Sequence, residues 1–263
     1  MADSSDRLAE VPPVATGGDG VSLRRWFAAY GLWVAATCAA FALLVGREGW
    51  SWRQWLDDPA ATFSAAGSPV KVVGFILYLS LCCTFLPLPT GWIVAALATR
   101  QADLTGGLVS TVLLAAAAGA VGSTVANVND YYLFTALLRH HRVAAIRQTR
   151  TYRAAARWFA RGPFPIVLLF SILPIPMDVV RMLAAVYRYD RLAFAAANFV
   201  GRFIRYGVIA FVTYFWDLGW IAPAALLALA VLLAAGRLAA GLIRKLTASS
   251  KPQAAEAGPL TKD

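Results

Sequence analysis

Long uncharged runs alternate with short charged clusters along most of this chain. Residues 26–46 form an uncharged stretch of the length, ~20 residues, that carries one helix across a ~30 Å hydrocarbon core. Residues 72–99 are uncharged too, but Pro87 and Pro89 interrupt them, removing backbone donors and breaking the helical ladder near the middle. Residues 104–129 read as a buried span whose Gly119, Gly122 and Ser123 let neighbouring helices approach closely. A second proline pair, Pro174 and Pro176, breaks the uncharged run 162–177, just before Asp178 and Arg181. Residues 192–216 are apolar apart from Asn198, Arg202 and Arg205, and residues 218–236 are apolar throughout, so both are expected to cross.

Composition agrees with a life in lipid. Of 263 residues, 59% are hydrophobic and 14% charged, against the ~25% charged side chains of an average soluble chain. Mean hydropathy is +0.61. The net charge of +10 does not imply nucleic acid, because the basic residues sit between the apolar runs and so report topology. Cys38, Cys82 and Cys83 lie within apolar stretches without a metal-ligand spacing, so neither a disulfide framework nor a zinc site is expected. Residues 1–25, mixed in charge and rich in Pro, Gly and Ser, are expected to be a disordered tail rather than a signal peptide, and residues 247–263 a second tail. The membrane domain then covers residues 26–246.

Charge placement decides how the broken runs are threaded. Arg139, Arg142, Arg147, Arg150, Arg153, Arg157 and Arg161 make an arm without a single acid, which belongs in the cytoplasm. If both broken runs crossed fully, Arg24, Arg25, Arg244 and Lys245 would be left outside. If each dips in and returns on its own side, only Arg47, Arg53, Lys71 and Arg100 are outside. The expected fold is therefore an all-α integral membrane protein with about four transmembrane helices and two re-entrant, proline-broken hairpins, both termini being cytoplasmic. Leu86-Pro87-Leu88-Pro89 and Leu173-Pro174-Ile175-Pro176 lie 87 residues apart, as do Asp103 and Asp190, and the threading turns the second copy upside down. Inverted repeats with broken helices concentrate function where the hairpin tips meet.

Candidate chemistry gathers around those tips. Asp178 and Arg181 are three apart and share a helix face, where they can form an ion pair. Asn198, Arg202 and Arg205 share another face. Arg202 is ~15 Å beyond Arg191 along a helix, half-way through the core, where a guanidinium cannot easily snorkel to water. These arginines suit a phosphate-bearing head group, since guanidinium offers paired donors to phosphate oxygens; a purely structural ion-pair network is the alternative. Pro87, Pro89, Pro174 and Pro176 would shape the tips. Arg150, Arg153, Arg157 and Arg161 form the charged stripe of an amphipathic helix lying on anionic lipid. His140 and His141 read as exposed boundary residues, and Trp50, Trp52 and Trp55 as an interfacial belt. Asn127, Asn129 and Asp130 either line the cavity or merely cap and hydrate the end of a span, which leaves Asp178 as the one expected intramembrane acid. No nucleophile–base pair, metal cluster or phosphate-cradling glycine loop accompanies them, so neither an enzyme nor a cofactor is expected.

The residues just described resemble the DedA superfamily, also called the VTT or SNARE-associated-like family, over about residues 71–214. The resemblance rests on Phe85-Leu86-Pro87-Leu88-Pro89, on Gly119-Ala120-Val121-Gly122 leading to Tyr131 and Tyr132, on Leu173 to Asp178, and on Gly201-Arg202-Phe203-Ile204-Arg205-Tyr206. The last element is most similar to that of the YqaA-like branch. The chain departs from the better-known branch, whose Arg-Phe-x-Pro-x-x-Arg element has no arginine here between Ser171 and Met177, and Thr90 and Gly91 follow Pro89 where an acid is expected. The resemblance implies two facing hairpins and lipid translocation, by a flippase or scramblase moving undecaprenyl phosphate or a phospholipid. An ion-coupled transporter of small solutes and a non-transporting membrane scaffold remain alternatives. The partners expected are membrane lipids, anionic or phosphate-bearing, and not nucleic acid; a homo-oligomer is compatible with this reading, and the expected location is a prokaryotic plasma membrane.

Overall fold

The computed structural model describes residues 20–49, 65–82, 90–102, 104–137, 162–173, 177–219 and 221–232, with a few isolated positions between them. Among the described residues the fold is all-helical. Helix α1 (Gly20–Arg47) is followed by α2 (Ser68–Leu81), α3 (Gly91–Leu97) and α4 (Leu108–Leu137), then by α5 (Pro163–Ile172), α6 (Asp178–Val186) and α7 (Arg191–Phe215). A last helix, α8, runs over Ile221–Leu232. Three helices, Leu23–Arg47 within α1, α4 and α7, are long and apolar enough to span a bilayer, so the chain is a multi-pass membrane protein. The expected span over residues 218–236 is described as a continuous helix only over the twelve residues of α8.

Helix α1 begins at Gly20, within the stretch expected to be tail. The reason is packing. Leu23 is buried in a cluster with Tyr131, Tyr132 and Phe194, and Trp26 stacks on Tyr132 with ring centroids 4.8 Å apart. Residues 1–19 and 237–263, most of both expected tails, lie outside the described residues.

Each broken run folds into two short arms. In the first, Ser68 donates to the carbonyl of Leu104 (2.6 Å), Lys71 to that of Ala102, and Trp92 to the hydroxyl of Tyr78 (3.2 Å). Early residues of α2 thus meet late ones beyond α3, so the arms are antiparallel. In the second run, Phe159 lies against Tyr187 and Tyr189 while Ser171 reaches the sulfur of Met177, and α5 and α6 are antiparallel in the same way. Helices α3 and α6 start at Gly91 and Asp178, 87 residues apart, the spacing of the sequence repeat.

The repeat-equivalent helices α4 and α7 run antiparallel at the centre. Tyr131 of α4 packs on Phe194 near the start of α7, whereas Ser123 meets Tyr206 further along. Glycines set the close approaches. A Cβ on Gly122 would come within 2.8 Å of the Ile76 carbonyl oxygen in α2, and one on Gly201 would collide with Ser171 and, at 2.9 Å, with the Leu168 carbonyl oxygen in α5. These contacts put the end of α2 beside Gly122 and the end of α5 beside Gly201, about half-way along α4 and α7.

Candidate functional site

Several buried polar residues, Ser123, Ser171 and Arg202 among them, lie at that middle level. Helix α4 does not end near Asn129 but continues to Leu137, so Ser123, Asn127 and Asp130 occupy one face inside a helix, four and three residues apart. Asp130 is completely buried, and Arg181 Nη1 lies 2.7 Å from its carboxylate. The same nitrogen is 3.2 Å from Asp178, and Arg181 Nη2 donates to Asn127 Oδ1. The expected pairing of Asp178 with Arg181 is present, but Asp178 is 58% exposed at the start of α6. It is therefore not the one intramembrane acid: Asp130 is buried within a spanning helix and is the shielded partner of the guanidinium. Pairing explains why an acid is tolerated there, since a bare buried carboxylate costs several kcal/mol.

Arg202 is buried at 8% exposure, in the middle of α7. Its Nη1 is 3.5 Å from the Tyr206 hydroxyl and its Nη2 3.6 Å from the Met177 sulfur, both weak partners for a cation. Among the described residues it has no ion pair, and its buried Nε has no acceptor. The Tyr206 hydroxyl shares a 2.7 Å hydrogen bond with Ser123, which links α7 to α4. Asn198 is fully buried one turn before Arg202; its Nδ2 donates to the Phe194 carbonyl (2.8 Å) and its Oδ1 lies 3.1 Å from Ser171 Oγ. Asn198 therefore clamps α7 to α5. Arg205 is only partly buried and donates to the Leu173 carbonyl (3.4 Å), where α5 ends.

Asn198, Arg202 and Arg205 thus share one flank of α7 against the second broken run, as their spacing predicts, while Asp178 and Arg181 are held apart from them on α6. Asn127 Nδ2 and Asn129 Oδ1 are buried without hydrogen-bond partners among the described residues. Pro87, Pro89, Pro174 and Pro176, and the stripe Arg150, Arg153, Arg157 and Arg161, lie outside the described residues, as do His140, His141 and the belt tryptophans. Among the described residues no group of three His, Cys, Asp or Glu is arranged to hold a metal ion. Ser123 and Tyr206 are not among the site residues expected from the sequence, which leaves Asn127 and Asp130 between lining the cavity and capping a span; the signal that separates the two is the four-and-three spacing along α4.

An all-helical membrane protein with two pairs of short antiparallel helices and buried polar residues along its two central helices is thereby defined. Residues 102–215 match the family model described as the VTT domain. The match includes the element from Gly201 to Tyr206 and begins after the first broken run. No curated protein and no solved structure matches the chain.

Proposed function

We propose that this protein translocates a phosphate-bearing lipid across the membrane, as a flippase or scramblase, along a groove between two re-entrant hairpins. The observation that carries this reading is Arg202, a guanidinium buried mid-helix without a carboxylate partner among the described residues. A buried cation left so poorly satisfied is costly unless a transient anion completes its shell, and a lipid phosphate offers several oxygen acceptors that the planar guanidinium can engage in pairs. Arg205, one turn further along α7 and only partly buried, supplies further positive charge along the path.

The threading of four spans and two hairpins is supported by the antiparallel arms and by their lengths. Helix α5, with ten residues, reaches ~15 Å, half of a ~30 Å hydrocarbon core. Helix α4, with thirty residues, reaches ~45 Å. In the sequence, the end of helix α4 that carries Tyr132, packed near Leu23 and Tyr189, is followed directly by the arginine-rich arm, which favours the cytoplasm for that end and for the N-terminus. Undecaprenyl phosphate and phospholipids both fit the chemistry of the groove.

Head-group translocation in reconstituted vesicles tests this. Arg202→Ala combined with Arg205→Ala should abolish movement of a phosphate-bearing lipid in protein that still folds; unchanged translocation removes these residues from the mechanism. One observation favours a second reading. The shielded Asp130–Arg181 pair resembles the coupling elements of ion-driven solute transporters, and proton-driven uptake of a small solute without lipid movement would select that function.

A further inference from the structure

We infer that the turn between α6 and α7 forms a second phosphate site, distinct from the Arg202 groove, that holds the head group of an anionic phospholipid at the membrane boundary. A cleft of about 350 Å³ opens there, lined by Tyr131, Tyr132, Arg188, Tyr189 and Arg191 among others. Its size lies at the lower end of small-ligand pockets, ~300–1,000 Å³, and suits a head group rather than a whole lipid.

The cleft is built rather than incidental. Arg191 lies over the face of Tyr132 at 5.0 Å, and Tyr132 stacks in turn on Trp26. Stacking fixes the plane of a guanidinium and leaves its edge donors directed outward, and Arg191 makes no hydrogen bond or ion pair with the described residues. Tyr131 donates to the Tyr189 carbonyl (3.1 Å), pinning the turn to the end of α4.

Arg188 provides an independent indication. It adopts φ +49°, the left-handed region, as the residue that closes α6: its own N–H bonds to the Ala185 carbonyl and the next N–H, of Tyr189, to that of Ala184. Glycine is the residue that such a helix ending favours, because a Cβ is strained there. An arginine in this position accepts backbone strain and sets a guanidinium at the cleft.

The acid at the same rim, Asp190, is engaged in capping α7, accepting from the Ala193 N–H at 2.8 Å, so the described residues lining the cleft include two arginines and one carboxylate. The source of the phosphate is a lipid because Leu192, next to Arg191, is 80% exposed, and Phe27 on α1 is exposed as well, giving acyl chains an apolar surface beside the charged rim. Aromatic residues at such a boundary are the usual anchors at head-group depth.

The test is equilibrium titration of the detergent-solubilised full chain, carrying Arg202→Ala and Arg205→Ala to silence the groove, with dioctanoyl phosphatidic acid, dioctanoylglycerol and inorganic phosphate. Phosphatidic acid should bind. Arg188→Gly and Arg191→Gln should each weaken it about tenfold, the loss of one charge-assisted contact. Arg188→Gly should do so without lowering the thermal midpoint, since glycine relieves the turn, whereas Arg47→Gln at the far end of α1 should bind normally. Binding unaffected by both cleft substitutions overturns the site while leaving the translocation reading intact. Inorganic phosphate binding as well as phosphatidic acid overturns the lipid assignment, and dioctanoylglycerol binding as well overturns the role of the phosphate.

Discussion

Replacing Asp130 with Asn should be among the most damaging conservative changes available in this chain. The substitution keeps the side chain's size but removes the charge facing Arg181 Nη1 at 2.7 Å, in a site where the acid is fully buried and the arginine side chain only 11% exposed. Breaking a buried pair from one side costs roughly 3–5 kcal/mol, because the surviving charge is left uncompensated. Arg181 retains Asp178, but that carboxylate is largely exposed and its attraction is screened, so the lower end, ~3 kcal/mol, is expected, more than a hundredfold in the unfolding equilibrium. The assay is reversible denaturant unfolding in mixed micelles of Asp130→Asn, Arg181→Gln and the double variant. A coupling energy of ~2 kcal/mol, with the double variant more stable than the sum of the single losses implies, is the predicted outcome. Additive losses, or a cost for Asp130→Asn under ~0.5 kcal/mol, would refute the pairing as the reason an acid is tolerated inside α4.

Other substitutions probe the packing and the polar interior. Gly201→Ala should cost ~1–3 kcal/mol, because its methyl meets Ser171 and the backbone of Leu168; Gly31→Ala, with open space around it in α1, should be neutral or stabilising by ~0.5–1 kcal/mol in the same unfolding assay. Tyr206→Phe removes the 2.7 Å bond to Ser123 and leaves a buried hydroxyl without that partner, so a loss of ~1–3 kcal/mol is expected by thermal melting. Asp217→Gly exchanges an exposed 3.7 Å ion pair with Arg100 for relief of a left-handed residue at φ +49°, and its melting temperature should stay near that of the wild type.

Much of the helical layout is legible in the sequence because uncharged length and proline are strong local signals. The interruptions between α2 and α3 and between α5 and α6 fall on the two proline-containing stretches, and the helices after them start one repeat apart. Arg202 is legible for a similar reason: eleven residues of helix separate it from the charged boundary at Arg191, too far to be reached by snorkelling. The role of Asp130 is only half legible, as cavity lining or a span's cap, since hydropathy treats a charge as the end of a span, and what lets α4 run on to Leu137 is a guanidinium contributed by α6. The start of α1 at Gly20 escapes for the same reason, because Leu23 and Trp26 gain their partners from α4 and α7. The cleft between α6 and α7 is not legible either, because the stacking of Arg191, Tyr132 and Trp26 depends on three separate helices meeting.

Side-specific labelling of single cysteines tests the central claim most directly, that two broken helices approach the buried arginines from opposite faces of the bilayer. In a chain freed of its native cysteines, cysteine at Thr105, beyond α3, and at Arg188, beyond α6, is offered a membrane-impermeant maleimide in intact cells and then in inverted vesicles. The account predicts that Thr105→Cys reacts only from outside and Arg188→Cys only from inside; reaction of both from the same side contradicts it.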